Sequence, residues 1–200
     1  MPLDPGHPQS YHITMNAKKL LALILAFALG LGIGVAITNT AKPSLPPVLY
    51  KSEVFFSPEG NVRANIVKAI GEAKTSIDLA IFDLTSEDIK VALESAQKRG
   101  VKVRIIADNR QSKGPHSMVP GLVEAGLDIK ITRGKGRGIM HNKFAIFDGK
   151  LMVTGSYNWT ASAEKYNYEN AVFITDPVVI AQYQKEFNEI WSSGPTLDGK

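Results

Sequence analysis

The chain contains no cysteine among its 200 residues. Disulfide bonds, thiol catalysis and cysteine-based zinc sites are therefore excluded, although the cellular compartment stays open because exported proteins can also lack cysteine. Histidine is scarce too, with four residues. His7 and His12 lie in the N-terminal leader, so chemistry that needs an imidazole depends on His116 and His141.

Neither sign of charge is in large excess, because 23 lysines and arginines face 19 aspartates and glutamates. The net charge of +4 is compatible with a polyanionic partner without requiring one. Apolar residues make up 44% of the chain and charged residues 21%, which are ordinary fractions for a globular protein. The length suits one domain with an appendage.

Long apolar runs are absent except at residues 20–37, which carry no charge and directly follow Lys18 and Lys19. A basic segment before an apolar one is typical of an export signal, yet the run also just reaches the length that spans a bilayer. Two interpretations stay open: a cleaved signal peptide on a periplasmic or secreted protein, or an uncleaved anchor in the inner membrane. The start codon, Met1 or Met15, is open as well.

The predicted organisation has four parts. A leader covers residues 1–41 and a Pro-rich linker covers 42–48. A folded domain that contains all the candidate site residues covers 49–193, and a short tail covers 194–200.

Strand and helix patterns alternate through the folded domain. Strand patterns lie at 54–56, 77–82, 101–107 and 127–132, and helical patterns lie at 61–73, 89–96, 119–125 and after Pro177. This alternation predicts an α/β three-layer sandwich, with a mixed, largely parallel central sheet flanked by helices.

An antiparallel hairpin is predicted around the Asp-Gly dipeptide at residues 148–149, which favours a two-residue type I′ turn. With that loop, Lys143 lies opposite Thr154 and His141 lies opposite Ser156. Alternate residues of a strand share a face, so the hairpin gathers polar side chains into one patch.

The patch suits a phosphodiester. His141 can attack phosphorus, because neutral imidazole is a good nucleophile near neutral pH. Lys143 supplies positive charge, and Ser156 and Asn158 supply donors for the non-bridging oxygens, where charge develops. Glu169 is the candidate carboxylate that holds the second nitrogen of the imidazole.

Residues 141–148 read HNKFAIFD and fit H-x-K-x-x-x-x-D, and residues 155–158 read GSYN. This combination resembles the phospholipase D superfamily, and among its members the single-motif, Nuc-type bacterial nonspecific endonucleases. The similarity continues through NWTASAE and NYENAV. The motif occurs once in the chain.

The resemblance implies a phospholipase D-like fold and a two-step reaction that needs no metal or other cofactor. His141 becomes phosphorylated, and a second histidine protonates the leaving oxygen and then activates water. The further implied roles are phosphate binding by Lys143 and Asn158, assistance by Ser156, orientation of His141 by Glu169, and a structural role for Asp148.

The second histidine is expected to come from a second copy of the chain. His116 sits in QSKGPHS, without a lysine two residues later, and is predicted to be an ordinary loop residue. A two-fold axis through the site brings two copies of His141 together, so a homodimer with one composite site is predicted.

Four cations, Lys130, Arg133, Lys135 and Arg137, occur within eight residues just before His141. They form either a solvated loop or an arm that binds a polyanionic backbone, and their position favours the arm. No base-reading element is evident, so binding to nucleic acid is predicted to be nonspecific. Asp108 and Arg110 follow a predicted strand, but no chemistry is assigned to them.

Three functions are therefore in competition. The leading one is an exported nuclease that cuts DNA, and RNA as a further candidate. The second is a lipid hydrolase of phospholipase D or cardiolipin type, held at a membrane by residues 20–37. The third is a nucleic-acid-binding module without turnover, which is disfavoured because every position of the motif holds a chemically competent residue.

Overall fold

The structure of the protein, a computed structural model, describes residues 50–193. The predictions for the leader at 1–41, the linker at 42–48 and the tail at 194–200 lie outside the described residues. None of the helices between residues 50 and 193 combines the length and the apolar character that a membrane crossing needs.

Seven strands form one sheet in the order β1-β7-β6-β5-β2-β3-β4. The strands are β1 (Ser52–Ser57), β2 (Ser76–Ile81), β3 (Lys102–Asp108), β4 (Asp128–Thr132), β5 (Lys143–Phe147), β6 (Leu151–Gly155) and β7 (Glu169–Ile174). The α-helices are α1 (Val62–Glu72), α2 (Glu87–Lys98), α3 (Val119–Glu124), α4 (Ala161–Lys165) and α5 (Pro177–Ser193).

The predicted α/β sandwich with a mixed sheet and flanking helices is confirmed, but the expectation that the sheet is largely parallel is wrong. Only the β2–β3 and β3–β4 pairs are parallel. The other four pairs are antiparallel. Parallel neighbours need a crossover connection, which α2 and α3 supply, whereas β5 and β6 are joined directly by a short turn.

Helices cover both faces of the sheet. On one face, α1 and α2 bury Ile66 and Leu93 against the strands. On the other face, α5 buries Phe187, whose ring lies 6.5 Å from that of Phe144 in an edge-to-face arrangement. Removing a side chain such as Phe187 from water contributes about 1.5–3 kcal/mol. These two cores hold the sheet rigidly beneath the site.

The β5–β6 hairpin has the predicted turn but a different register. Asp148 and Gly149 both have positive φ, 53° and 62°, and the Lys150 N–H donates to the Phe147 carbonyl at 2.9 Å. However, the ladder pairs Phe147 with Leu151, so Lys150 is an extra residue. Lys143 is consequently level with Gly155, not Thr154, and His141 is not opposite Ser156.

The Asp148 carboxylate ties this turn to the connection between α1 and β2. It accepts hydrogen bonds from the backbone N–H groups of Lys74, Thr75 and Ser76 and from the Thr75 hydroxyl, at 2.7–3.2 Å. Desolvation opposes ionisation, but these donors outweigh it and lower the pKa of Asp148 to about 2. The contacts are those of a structural residue.

Asp148→Asn is expected to lower the free energy of unfolding by about 1–2 kcal/mol, because an amide nitrogen would face a backbone N–H. The folded-state pKa lies below the unfolded value of 3.8. The contribution is therefore complete above pH 4 and is lost as the pH falls toward 2. Urea unfolding at several pH values measures it, and an Asp148→Asn variant whose stability equals wild type at neutral pH would contradict the assignment.

Candidate functional site

The motif residues other than Asp148 lie toward one edge of the sheet. The antiparallel pairing of β2 with β5 sets Ile81, at the end of β2, beside Lys143, at the start of β5. Gly155 ends β6 at the same edge, and Ser156 follows it. The His141 segment, before β5, and the Ser156 segment, after β6, therefore both lie at the open end of this hairpin.

His141 is exposed and is held by Lys143 and by the ring of Phe82. The Lys143 ammonium lies 3.3 Å from His141 Nε2 and donates to the His141 carbonyl at 3.0 Å. The Phe82 ring centroid is 4.5 Å from that of the imidazole, and Lys143 Nζ lies 5.1 Å from the same Phe82 ring. One aromatic ring thus packs against both the imidazole and the ammonium group.

Opposing effects act on the pKa values of Lys143 and Asp83. Desolvation lowers the pKa of Lys143, against the attraction of Glu169 and Asp83. Burial raises the pKa of Asp83, against a hydrogen bond from the Leu84 backbone and the attraction of Lys143. Glu169 and Asp83 therefore both act on Lys143 through charge, without a salt bridge to it among the described residues.

Glu169 was predicted to hold the second nitrogen of His141, but the structure shows no hydrogen bond between them. Its carboxylate accepts hydrogen bonds from the Ser156 hydroxyl and, at 3.0 Å, from the Asn167 amide. Ser156 Oγ in turn accepts from the Asn170 N–H at 3.1 Å. Glu169 starts β7, one strand beyond β6, so it reaches Ser156 first. In the described structure it positions Ser156 and acts on Lys143 through charge.

Alternation along residues 156–159 separates polar from apolar side chains. Tyr157 and Trp159 are each 2% exposed and pack in the core, as the sequence predicted. The Tyr157 hydroxyl donates to Glu164 at 2.7 Å, and burial raises the Tyr157 pKa. Asn158 Oδ1 is buried and has no hydrogen-bond partner among the described residues.

Two clefts open at this edge. The larger, of about 1000 Å³, is lined by His141 and Asn142 together with Arg133 and Lys135 of the basic loop, the segment between β4 and β5. The smaller, of about 710 Å³, is lined by residues that include Asp83, Asn158 and His116. The exposed His116 thus borders the smaller cleft.

Three of the four cations predicted to bind the substrate line the clefts, and one does not. Arg133 and Lys135 line the His141 cleft, and Arg137 lines a small neighbouring cleft with Arg133. Lys130 is a correction to the predicted set. Its ammonium donates to the Trp191 carbonyl and lies 5.1 Å from the Trp191 ring, so it holds the end of α5.

Phe82 and Asp83 were missed by the sequence prediction. They follow β2, and β2 was predicted as a buried strand, but its neighbour β5 could not be inferred from one sequence. Knowledge of that pairing would have placed both residues beside the motif. Within residues 50–193, no group of three or more potential metal-ligating side chains was found.

Comparison with known proteins agrees with this geometry. Residues 66–191 match the family described as "Cardiolipin synthase, PLD-like domain". A mitochondrial cardiolipin hydrolase from Chlamydomonas reinhardtii is 37% identical over 122 residues, 61% of this chain and 54% of that protein. A phospholipase D from Rickettsia conorii is 38% identical over 66% of each chain.

A solved structure is similar over a larger share of its own length. Nuc from Salmonella typhimurium, a phospholipase D family member, has 34% identity and a TM-score of 0.68, and the match covers 74% of this chain and 97% of that one. By contrast, the chain spans little more than half the length of the cardiolipin hydrolase from Chlamydomonas reinhardtii.

A mixed seven-stranded sheet that presents the His and Lys of H-x-K-x-x-x-x-D and the G-S-x-N segment at one edge fits a phospholipase D-like domain. The family match covers residues 66–191, more than half of the chain, so this chain belongs to the family of phospholipase D-like domains.

Proposed function

We propose that this protein is a metal-independent, sequence-nonspecific endonuclease that acts through a phosphohistidine at His141. The observation that carries the proposal is the position of the basic loop. Arg133 and Lys135 line the same cleft as the exposed imidazole, so a polyanion bound along the loop passes over the nucleophile. DNA is the proposed substrate, with RNA as a second polyanion of the same charge density.

Each residue of the site has a task in the proposed reaction. A neutral nitrogen of His141 attacks phosphorus and forms a P–N bond, while the P–O bond to the leaving alcohol breaks. A second imidazole gives its proton to the leaving oxygen. That imidazole then takes a proton from water, and the resulting attack on phosphorus releases His141. Lys143 and Asn158 stabilise the charge on the non-bridging oxygens in both steps.

The second imidazole is proposed to be His141 of another copy of the chain. Each protomer offers one motif, and a two-fold axis at the site edge makes the interface self-complementary. The homodimer then holds one composite site. His116 is the other candidate in the described chain, since it borders the cleft that Asn158 lines.

Support for a nuclease comes from the extent of the similarity. The match to Nuc covers nearly the whole of that chain, and the sequence motif resembles the Nuc-type endonucleases. Export, to the periplasm or beyond, is proposed from the apolar leader at residues 20–37. An uncleaved leader would hold the same domain at the inner membrane.

A lipid hydrolase is the second candidate, and specific observations favour it. Several similar proteins are named mitochondrial cardiolipin hydrolase. In addition, Phe56 on β1 and Tyr168 just before β7 are 59% and 95% exposed. Exposed aromatic residues suit the interfacial region of a bilayer, and Tyr168 directly precedes Glu169.

Hydrolysis of plasmid DNA and of cardiolipin vesicles, each in excess EDTA, separates the two candidates. The nuclease proposal predicts nicking and linearisation of DNA that continue in chelator, because no metal takes part in the steps above. The assay uses the full chain, with His141→Ala as the matched inactive control.

Hydrolysis of cardiolipin without cleavage of DNA would replace the nuclease by the lipid hydrolase. Loss of both activities in EDTA, with recovery on adding a divalent metal, would contradict the mechanism itself.

A further inference from the structure

Beside the His141 cleft lies a smaller cleft, of about 220 Å³, that neither the sequence motif nor the proposed reaction uses. Arg110, Arg133 and Arg137 all line it, together with Asp108. Arg133 also lines the His141 cleft. The two clefts are therefore contiguous, and one guanidinium is within reach of both.

The backbone that presents these arginines is well fixed. Asp108, at the end of β3, accepts from the backbone N–H groups of Arg110 at 2.9 Å and Gln111 at 3.1 Å, and from the N–H of Met140 at 3.1 Å. The segment that carries Arg110 is thereby joined to the residue that directly precedes His141.

Glycines let the basic loop fold back on itself. The Gly138 N–H donates to the Lys135 carbonyl at 3.0 Å. A Cβ atom at Gly134 would lie 2.7 Å from the Ile139 carbonyl oxygen, so a larger residue would push the two limbs apart. This close approach turns Arg133 and Arg137 toward the same space.

The charges around this cleft are not neutralised by the surrounding protein. Within residues 50–193, none of the three arginines forms a salt bridge. Asp108 is the only carboxylate in the lining, and it is 1% exposed with both oxygens hydrogen-bonded to backbone N–H groups. Three like charges around a small space repel one another unless an anion lies between them.

We propose that Arg110, Arg133 and Arg137 form a subsite for a second phosphate of the substrate, next to the phosphate that His141 attacks. Guanidinium groups bind phosphate oxygens in a bidentate geometry that lysine cannot reproduce. The ligand is an anion with two or more phosphodiester groups, supplied either by a nucleic-acid backbone or by a lipid headgroup with two phosphates. The assignment rests on the proposed function only for the position of the first phosphate.

The subsite makes Arg110 a specificity-determining residue. A substrate with two phosphates contacts both clefts, whereas a substrate with one contacts only the His141 cleft. The loss of Arg110 should therefore affect the first kind of substrate more than the second.

Equilibrium binding in the full-length His141→Ala protein tests this without turnover. The probes are a short single-stranded oligodeoxynucleotide and phosphatidylcholine vesicles with and without cardiolipin. Arg110→Ala is expected to weaken binding of the two-phosphate ligand about tenfold, equivalent to about 1.4 kcal/mol. For the oligonucleotide, the magnitude of the negative slope of log K against log salt should decrease by about one.

Lys113→Ala is the matched control, because Lys113 is an exposed cation three residues from Arg110 that does not line the cleft. It should change affinity less than about twofold, as expected for a screened surface charge. Arg110→Lys, which keeps the charge but not the planar fork, should fall between the two. The ligand whose affinity depends on Arg110 identifies the source of the second phosphate.

Equal effects of Arg110→Ala and Lys113→Ala on both ligands would overturn the subsite, as would a parent protein that binds neither. The wild-type protein, assayed for hydrolysis of the same two ligands, tests the proposed function separately. Binding that depends on Arg110 without any hydrolysis would retain the subsite and remove the proposed function. Hydrolysis by the wild-type protein, with equal binding by the Arg110→Ala and Lys113→Ala variants, would retain the proposed function and remove the subsite.

Discussion

His141→Ala is expected to lower kcat for phosphodiester hydrolysis by about 10⁴-fold or more, because no other group at the site can form the covalent intermediate. The ring is exposed in the larger cleft and is held by Phe82 and Lys143, neither of which is a competent nucleophile in its place. KM should change much less, because the cations that bind the substrate remain. Steady-state hydrolysis of bis(p-nitrophenyl) phosphate measures both parameters.

His116→Ala is the control for this variant, and its activity should stay within about twofold of wild type. An inactive His116→Ala variant would instead identify His116 of the same chain as the second imidazole, acting through the cleft beside Asn158. Subunit mixing adds an independent check. One composite site that needs both copies of His141 makes a further prediction for a re-equilibrated equimolar mixture of wild type and His141→Ala. The mixture should have about a quarter of the activity of the same total concentration of wild type, because random pairing gives that fraction of wild-type dimers.

Lys143→Met is expected to lower kcat by about 10²–10³-fold, the usual cost of removing one group that stabilises charge in the transition state. Methionine keeps an unbranched apolar chain in place of the lysine stem, so the fold should be unaffected. Circular dichroism and the melting temperature serve as the control. A Lys143→Met enzyme with more than a tenth of wild-type kcat would show that the phosphate charge is stabilised elsewhere.

The same residue predicts a pH dependence. Desolvation lowers the pKa of Lys143, and the ammonium is the active form, so activity should fall on the alkaline side at a lower pH than an ordinary lysine would give. Lys143→Arg keeps its charge across this range, and its alkaline limb should move to higher pH even if its kcat is lower. A pH–rate profile identical for lysine and arginine would assign that limb to another group.

The motif carried most of what the sequence could predict about the site. The spacing of residues 141–148 and the Asp-Gly turn fixed a hairpin, and the structure places both its strands next to each other. The alternation around Tyr157 and Trp159 correctly separated core from surface, because a period of two depends only on local geometry.

Features that depend on long-range pairing were beyond reach. Strand β7, at Glu169–Ile174, has a weak alternating pattern and is defined by its pairing with β1 and β6. The same pairing draws Glu169 to Ser156 and away from His141. Lys130 was assigned by its nearness in sequence to Arg133, but its position on β4 puts it against α5.

The register error shows how one residue changes a prediction. A two-residue turn was predicted correctly from its sequence, yet the extra residue Lys150 shifted the ladder by one position. Ser156 and Asn158 lie beyond the end of β6 and are not constrained by its ladder, and Asn158 lines a different cleft from His141.

Rapid-quench trapping of the covalent intermediate tests the central claim most directly. Wild-type protein is mixed with a phosphodiester labelled at phosphorus, quenched in alkali within one turnover, and digested for mass spectrometry. The account predicts an acid-labile, alkali-stable phosphorus adduct, still esterified to the half of the substrate that has not left, on the peptide that contains His141, at a level that rises and falls with the turnover. An enzyme that turns over its substrate while no label appears on that peptide, or while the label appears on the His116 peptide instead, would contradict it.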